Sequence, residues 1–362
     1  MPARPFPFAA DVALRTLLLI ATLPLLAGCR SLAYYGHVGH GQWSLMRART
    51  PLVEVIEDPA TPAPLRDTLT ELAQARRFAS TRLALPDNGS YTSYVALARD
   101  SVTWNVFAAP EFSVAPVTWC FPVAGCVPYR GYFDPAKARR EAERLQARGY
   151  QTWVGGTAAY STLGWFDDPI LSTMLGRDHD DPVGVLFHEL QHQQLYVRDD
   201  TAFNESLARF VEQEGLREWR AQAGQAPPDP GPAARERAFT VRVLQLRDTL
   251  DEAYRQPVAA DAMRAAREQA IERFRAWYRL QRQGAWHDDA RFDAWVEAPI
   301  TNAKLVPFGL YDRWVPAFAA LFTGCNGDWP CFHARTAELA RQPAEDRAAR
   351  LDALLHADGP TP

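Results

Sequence analysis

Apolar positions change their period several times along the chain, and each change marks an element. Between residues 51 and 84 they recur at helical spacing, with Leu65, Leu69, Leu72, Ala75 and Phe78 on one face, which predicts one or two helices. From Tyr91 to Phe133 the texture turns to short β-branched and aromatic runs such as Val102 to Phe107, broken by Pro110, Pro116, Pro122 and Pro128, and this stretch reads as a sheet. Residues 31–50, rich in Tyr, Gly and His, show no period that places them. Asp134 and Pro135 open a predicted helix that stops at Gly149, because proline at the first helical position has no N–H to lose and glycine tolerates a left-handed exit. Tyr150 to Val154 reads as a strand. Asp181 and Pro182 repeat the start signal and predict a helix to about Tyr196; a second opens near Thr201 and runs to about Arg220, with Gly215 as a soft point.

Ala226 to Pro232 contains four prolines and forms a linker or rigid turn. Beyond it, residues 233–283 predict two long helices, with Val241, Leu244, Leu246 and Leu250, then Met263, Ala266, Ile271, Phe274 and Tyr278 on buried stripes. A last helix from about Arg335 to His356 is charged on one side and expected on the surface, and the tail from Ala357 is expected to fray. The pattern is α+β with a mainly helical C-terminal half. It divides the chain into residues 1–28, a region over 29–225 and a helical region over 226–362 packing on it. A chain of 362 residues with 47% hydrophobic residues buries one large core or two modest ones. The formal net charge of -4 comes from 39 basic and 43 acidic residues spread without long runs of either sign, which speaks against a nucleic-acid partner.

The first 28 residues stand apart. Arg4 and Arg15 precede an apolar run from Leu17 to Leu26 that ends in Ala27 and Gly28, the shape of a signal peptide. At roughly ten residues the run is too short to span the ~30 Å hydrocarbon core as a permanent helix. Leu26-Ala27-Gly28-Cys29 resembles the lipobox of bacterial lipoproteins, which implies cleavage before Cys29 and acylation of that residue, a firm anchor when several chains are attached. By the same resemblance, Arg30 rather than Asp favours the outer membrane. Four cysteines remain: Cys120, Cys126, Cys325 and Cys331. Export implies an oxidising compartment and two disulfides; three connectivities are open, and local pairing is the simplest. A zinc cluster of these four fits less well, because the five intervening residues in each pair exceed the usual two to four.

The sharpest chemical signal is His188-Glu189-Leu190-Gln191-His192, an H-E-x-x-H run inside a predicted helix. Side chains four apart sit one turn above each other, so both imidazoles can reach one tetrahedral Zn2+ ion. Glu189, about 100° round the helix, can reach a zinc-bound water without being a ligand. Zinc lowers the pKa of such a water from near 16 to about 7, and the carboxylate takes its proton as it attacks a carbonyl carbon. A third ligand is needed. Thirteen residues after His192, Asn204-Glu205-Ser206-Leu207-Ala208 resembles the N-E-x-x-A segment of gluzincins, which implies Glu205 as that ligand. The gap is shorter than in thermolysin-like enzymes, and residue 209 is Arg where those have an Asp supporting a histidine. That support must come from elsewhere, with Asp199, Asp200 and Glu212 as candidates.

The runs Trp104 to Pro110, Trp119 to Cys126, Tyr129 to Phe133, Ala159 to Phe166 and Phe203 to Ser206, with Asn302 to Leu305 and Tyr311, resemble a family of bacterial lipoproteins described as aminopeptidases. The resemblance extends from the lipobox to about Phe318. It implies a zincin-like catalytic core and a zinc peptidase acting on peptide substrates, lipid-anchored in the cell envelope and facing the periplasm. In zincins an edge strand before the zinc helix aligns the peptide, which points to Tyr160 to Pro169. Asp167 or Asp168 could hold a substrate amine, although a turn before Pro169 is the simpler role for both. Tyr311 and Tyr160 are candidates to stabilise the transition-state oxyanion. His37, His40, His179, His287, His333 and His356 have no ligand spacing. The competing readings are a zinc endopeptidase and a non-catalytic lipoprotein using the metal for structure or partner binding. Glu189 disfavours the latter, since a closed structural site has no use for an unliganded carboxylate.

Overall fold

Several helices begin where the sequence supplies a cap. In the computed structural model, which describes residues 31–175, 181–226, 229–309 and 313–357, Asp134, Asp181 and Asp200 accept backbone N–H groups from Ala136, Val183 and Phe203. Residues 1–28, expected to be a signal segment, and Cys29, Arg30, His179, Tyr311 and the tail from 358 lie outside the described residues. Two units divide at Ala48 and Arg49. The first holds helix α1 over residues 31–47, the stretch that carried no readable period.

The second unit, Arg49–Pro362, is mixed α and β. It opens with β1 (Thr50–Pro51), α2 (Leu52–Glu57), α3 (Ala63–Thr81), β2 (Ser93–Val95), β3 (Thr103–Pro110), β4 (Trp119–Phe121), β5 (Gly125–Val127) and β6 (Arg130–Tyr132). There follow α4 (Pro135–Gln146), β7 (Tyr150–Thr157), β8 (Ile170–Leu171), α5 (Pro182–Gln194) and α6 (Thr201–Gln222). Helices then dominate: α7 (Pro230–Tyr254), α8 (Ala260–Gln283), α9 (Asp293–Glu297), α10 (Asn302–Leu305), α11 (Val315–Thr323), α12 (Trp329–Ala340) and α13 (Ala344–Ala357). The expected boundary at 225/226 falls between α6 and α7, inside this one unit.

The strands form three small sheets. β3 lies between β6 and β7, antiparallel to both, with Trp104 opposite Tyr132 on one side and Gly156 on the other. β2 pairs antiparallel with β1 and parallel with β8. β4 and β5 form a hairpin in which Cys120 faces Cys126, and these two are disulfide-bonded, as are Cys325 and Cys331. Helices α4 and α10 both pack on β3 and β7. Asn302 ties α10 down: its N–H donates to Gln151 Oε1 at 2.7 Å and its Nδ2 to the carbonyls of Pro110 and Glu111 at 3.1 and 2.9 Å. Burying those carbonyls without a donor would be costly.

Phe239, Val243, Leu246 and Leu250 of α7 bury against Ile271, Phe274 and Tyr278 of α8, and Phe239 stacks on Phe292 at 3.9 Å. Val241, expected inside, is 53% exposed; the buried stripe starts at Phe239 and runs through Val243, a phase shift that an 11-residue window does not resolve. The expected single helix over 335–356 is two, α12 and α13, interrupted at Gln342 and Pro343, because proline lacks the N–H that would continue the ladder. Nor does α13 lie wholly at the surface: Leu351 is buried, and Arg347 is buried in an ion pair with Asp200 at 2.6 Å. Tyr160 to Pro169 contains no strand. Leu163 and Gly164 take left-handed φ values of 56° and 80°, and Asp168 Oδ2 accepts the Thr162 N–H at 2.8 Å, so the segment closes on itself as a loop.

Phe239→Ala should lower stability by about 3–5 kcal/mol, the range for deleting a large buried aromatic side chain. The shift of the denaturant midpoint would measure it.

Candidate metal centre

Helix α5 buries Val183, Leu186, Phe187 and Leu190, residues three and four apart that leave its remaining face to His188 and His192. Helices α3 and α6 pack against it. Two glycines let α5 and α6 approach. A Cβ on Gly184 would meet Glu212 Cγ at 3.2 Å, and one on Gly215 would meet Leu83 at 2.8 Å and Phe187 at 2.9 Å. Gly215, expected as a soft point, is a packing contact instead.

The imidazoles of His188 and His192 lie 4.8 Å apart between ring centroids, at 82° to each other. Glu205, from the first turns of α6, comes between them: its Oε2 is 3.4 Å from His188 Nε2 and 3.7 Å from His192 Nε2. One ligand atom from each residue falls within 4.8 Å of the other two. Four bonds of ~2.1 Å in a tetrahedron place neighbouring donors about 3.4 Å apart, so the three groups stand close to the spacing that a single divalent ion requires.

Glu212 lies seven residues after Glu205 on the same face of α6, and its Oε2 meets His188 Nδ1 at 3.1 Å. Arg209 Nη1 donates to Glu212 Oε1 at 2.6 Å. Of the three proposed supports, Glu212 is the one the fold brings to a histidine. Asp200 caps α6 and pairs with Arg347, and Asp199 accepts the Cys126 N–H at 2.6 Å. Asn204 pins the turn between the helices in both directions: its Oδ1 accepts the Val197 N–H and its Nδ2 donates to the Val197 carbonyl, each at 2.7 Å. Glu205 follows directly in the chain.

Burial alone would push the His188 pKa down, but hydrogen bonds to Glu205 and Glu212 and their charges outweigh it and hold it up at about 10. Burial raises Glu205, yet His192 and His188 bring it down to about 2. Glu212 is likewise held low, by Arg209 and His188 against burial. Glu189 moves the other way: burial raises it, against the pull of both histidines. Among the described residues, the ion pairs of the cluster run through Glu205 and Glu212 and not through Glu189.

Other predicted residues are placed as follows. Asp168 is 1% exposed and committed to Thr162, whose Oγ1 it meets at 3.0 Å, and burial raises its pKa to about 6. It closes a loop and does not face solvent. Asp167 is exposed, with its carboxylate packed over Gly89. Tyr160 lies edge-on to Phe133 at 5.4 Å. His333 is buried, with Nε2 2.9 Å from the Leu83 carbonyl, a structural role.

Three tyrosines at the site escaped the sequence. The Tyr196 ring stands 6.3 Å from His192, its O–H donates to the Ala124 carbonyl at 3.3 Å, and burial with Glu205 and Asp199 pushes its pKa up to about 12. Its position, four residues after His192, was the available signal. Burial raises Tyr129, with Glu205, Tyr196, Glu189 and Tyr160 adding to the shift. Burial also raises Tyr91, followed by the charges of Glu189 and Asp168. Tyr129 opens one of the runs that carry the family resemblance but shows no role there, and Tyr91 carries no local motif.

A family described as "Putative aminopeptidase" matches residues 33–351. No curated protein and no solved structure matches the chain.

Glu212→Ala should weaken metal binding about 10–100-fold, as loss of a histidine's outer partner does, read by competition with a chromophoric chelator. A pH effect follows from His188. Its pKa rises from 6.5 unfolded to about 10 folded, so the stabilisation is complete below pH 6.5 and disappears as pH climbs through 10. Glu205 is the other half of the same interaction, lost as pH falls from 4.5 through about 2. Melting temperatures of metal-free protein should therefore decline between pH 7 and 10. Metal-loaded protein, in which an ion replaces that proton, should decline less.

Proposed function

The chain belongs to the putative aminopeptidase family, and on that premise we propose that it is a zinc-dependent peptidase with a zincin-like core, in which Glu189 is the general base. The observation that carries this reading is the convergence of His188, His192 and Glu205 on one point, with Glu189 on the next position of the same helix and outside the ion pairs. Two imidazoles and a carboxylate suit zinc among the divalent ions. Three protein donors leave a fourth position open, as a catalytic site needs.

A zinc ion held there lowers the pKa of a bound water to about 7 and polarises the substrate carbonyl. The rest belongs to the chain's own side chains. His188 gives up its proton to become a ligand, and Glu212, held charged by Arg209, keeps the ring oriented through Nδ1. Glu189, raised by burial, accepts a proton from the attacking water more readily than an exposed carboxylate and returns it to the leaving amine nitrogen. Tyr160 and Tyr129 are the phenols at hand to donate to the developing oxyanion, whereas the Tyr196 O–H is taken by the Ala124 carbonyl.

Family membership favours release of an N-terminal residue over internal cleavage. Of the two acidic residues before Pro169, Asp167 is the one open to a substrate amine. The lipobox-like segment ending in Cys29 supports attachment through lipid at the periplasmic face of the envelope, with Arg30 favouring the outer membrane.

Protein lacking residues 1–29 would be assayed on amino-acid anilides and on peptides with free or acetylated N-termini. Glu189→Gln should lower kcat by about 10²–10⁴-fold while bound zinc stays at the wild-type level. Equal activity in both forms, or zinc bound with no hydrolysis of any peptide, would end the peptidase reading.

A further inference from the structure

We propose that the Cys120–Cys126 disulfide is a positioning element of the metal centre, acting through the β4–β5 hairpin on the turn that joins the two ligand-bearing helices. This deepens the metallopeptidase reading and rests on it. The two cysteines face each other across the hairpin, and Gly125, where β5 leaves the tip, has a φ of 75°. That tip is fastened to residues 195–200. Cys126 N–H donates to Asp199 Oδ1 at 2.6 Å, and the Ala124 carbonyl accepts the Tyr196 O–H at 3.3 Å. Gly125 approaches so closely that a Cβ there would collide with Asp199 and Arg198. Asp199 itself has a φ of 67°, in the left-handed region that is uncommon outside glycine and that aspartate tolerates better than most residues.

From this turn the contact passes to a ligand at each end. On one side the Tyr196 ring packs edge-on to His192. On the other, Asn204 grips Val197 in both directions immediately before Glu205. His192 depends on that packing, because its Nδ1 is buried without a hydrogen-bond partner among the described residues, whereas His188 has Glu212. A metal-ligating histidine is ordinarily oriented through its second nitrogen; here the ring of Tyr196 and the hairpin behind it take that part.

The second disulfide provides the comparison. Cys325–Cys331 has the same sequence separation of 6, so its loop-closure effect on the unfolded chain is equivalent, but it joins the end of α11 to α12. Metal release to excess EDTA would be followed in wild type, in Cys120→Ser/Cys126→Ser, in Cys325→Ser/Cys331→Ser and in Asp199→Gly, whose φ glycine accepts. We expect release about 10-fold faster or more in the first double variant, an intermediate acceleration in Asp199→Gly, and a rate within about twofold of wild type in the second double variant. Circular dichroism reports folding, and should the first variant not fold, Asp199→Gly decides. Equal release from both double variants, or wild-type release from Asp199→Gly, overturns the inference and leaves the metal reading standing. A wild-type protein that binds no metal overturns both.

Discussion

The second unit is organised around one carboxylate held between two imidazoles. Glu205 brings a negative charge into a buried space that already contains Glu189 and Glu212, with Arg209 as the only guanidinium hydrogen-bonded to any of the three among the described residues. Such a cluster is expensive to bury unless positive charge compensates it. Without an ion, the proton on His188 supplies part of that charge, which is why its pKa stands near 10. A divalent cation compensates more charge from the same point, and its charge dominates any local field. The helix contacts around the cluster serve this spacing: Gly184 under Glu212, Gly215 under Phe187, and Asp200 locked between the start of α6 and Arg347 of α13.

Glu189 gains its character from what the other carboxylates take. His188 and His192 are engaged with Glu205 and Glu212, so the stabilisation that would fix Glu189 as a low-pKa carboxylate is spent on its neighbours. Burial then pushes it upward, and the nearby charges of Glu205 and Glu212 add to the push. Two acidic residues on α6 are held low and one on α5 is raised, a separation set by environment and not by residue type.

The chain announces those features whose cause is local. H-E-x-x-H declares itself because helical pitch alone aligns His188 with His192, and Asp134, Asp181 and Pro182 declare helix starts because a cap acts within one turn. Both disulfides follow the simplest pairing, each closing a hairpin or a short helix junction. What the sequence hides depends on distant partners. Tyr91 and Tyr129 reach the site through folding of the sheet region, and Gly215 reads as a weak point until Phe187 and Leu83 lie against it. Tyr160 to Pro169 is expected as an edge strand only through the zincin resemblance, but the bond that Asp168 accepts from the Thr162 N–H competes with strand pairing and closes a loop. The break at Pro343 was legible and is the one departure that local chemistry should have given.

The two histidines are held by different physics, and this asymmetry connects the site to the rest of the unit. His188 is fixed electrostatically: Glu212 touches its Nδ1, and Arg209 keeps that carboxylate charged. His192 is fixed by shape, its Nδ1 enclosed and unpaired, with the ring edge of Tyr196 against it. The electrostatic hold on His188 comes from α6, through Glu212 and Arg209. A hold by packing is only as firm as whatever stands behind the packing residue. Behind Tyr196 stands a disulfide-closed hairpin bonded to the α5–α6 turn at two points. The hairpin and the two ligand-bearing helices thus meet beside the site through this turn, and the packing of the second imidazole is continuous with it.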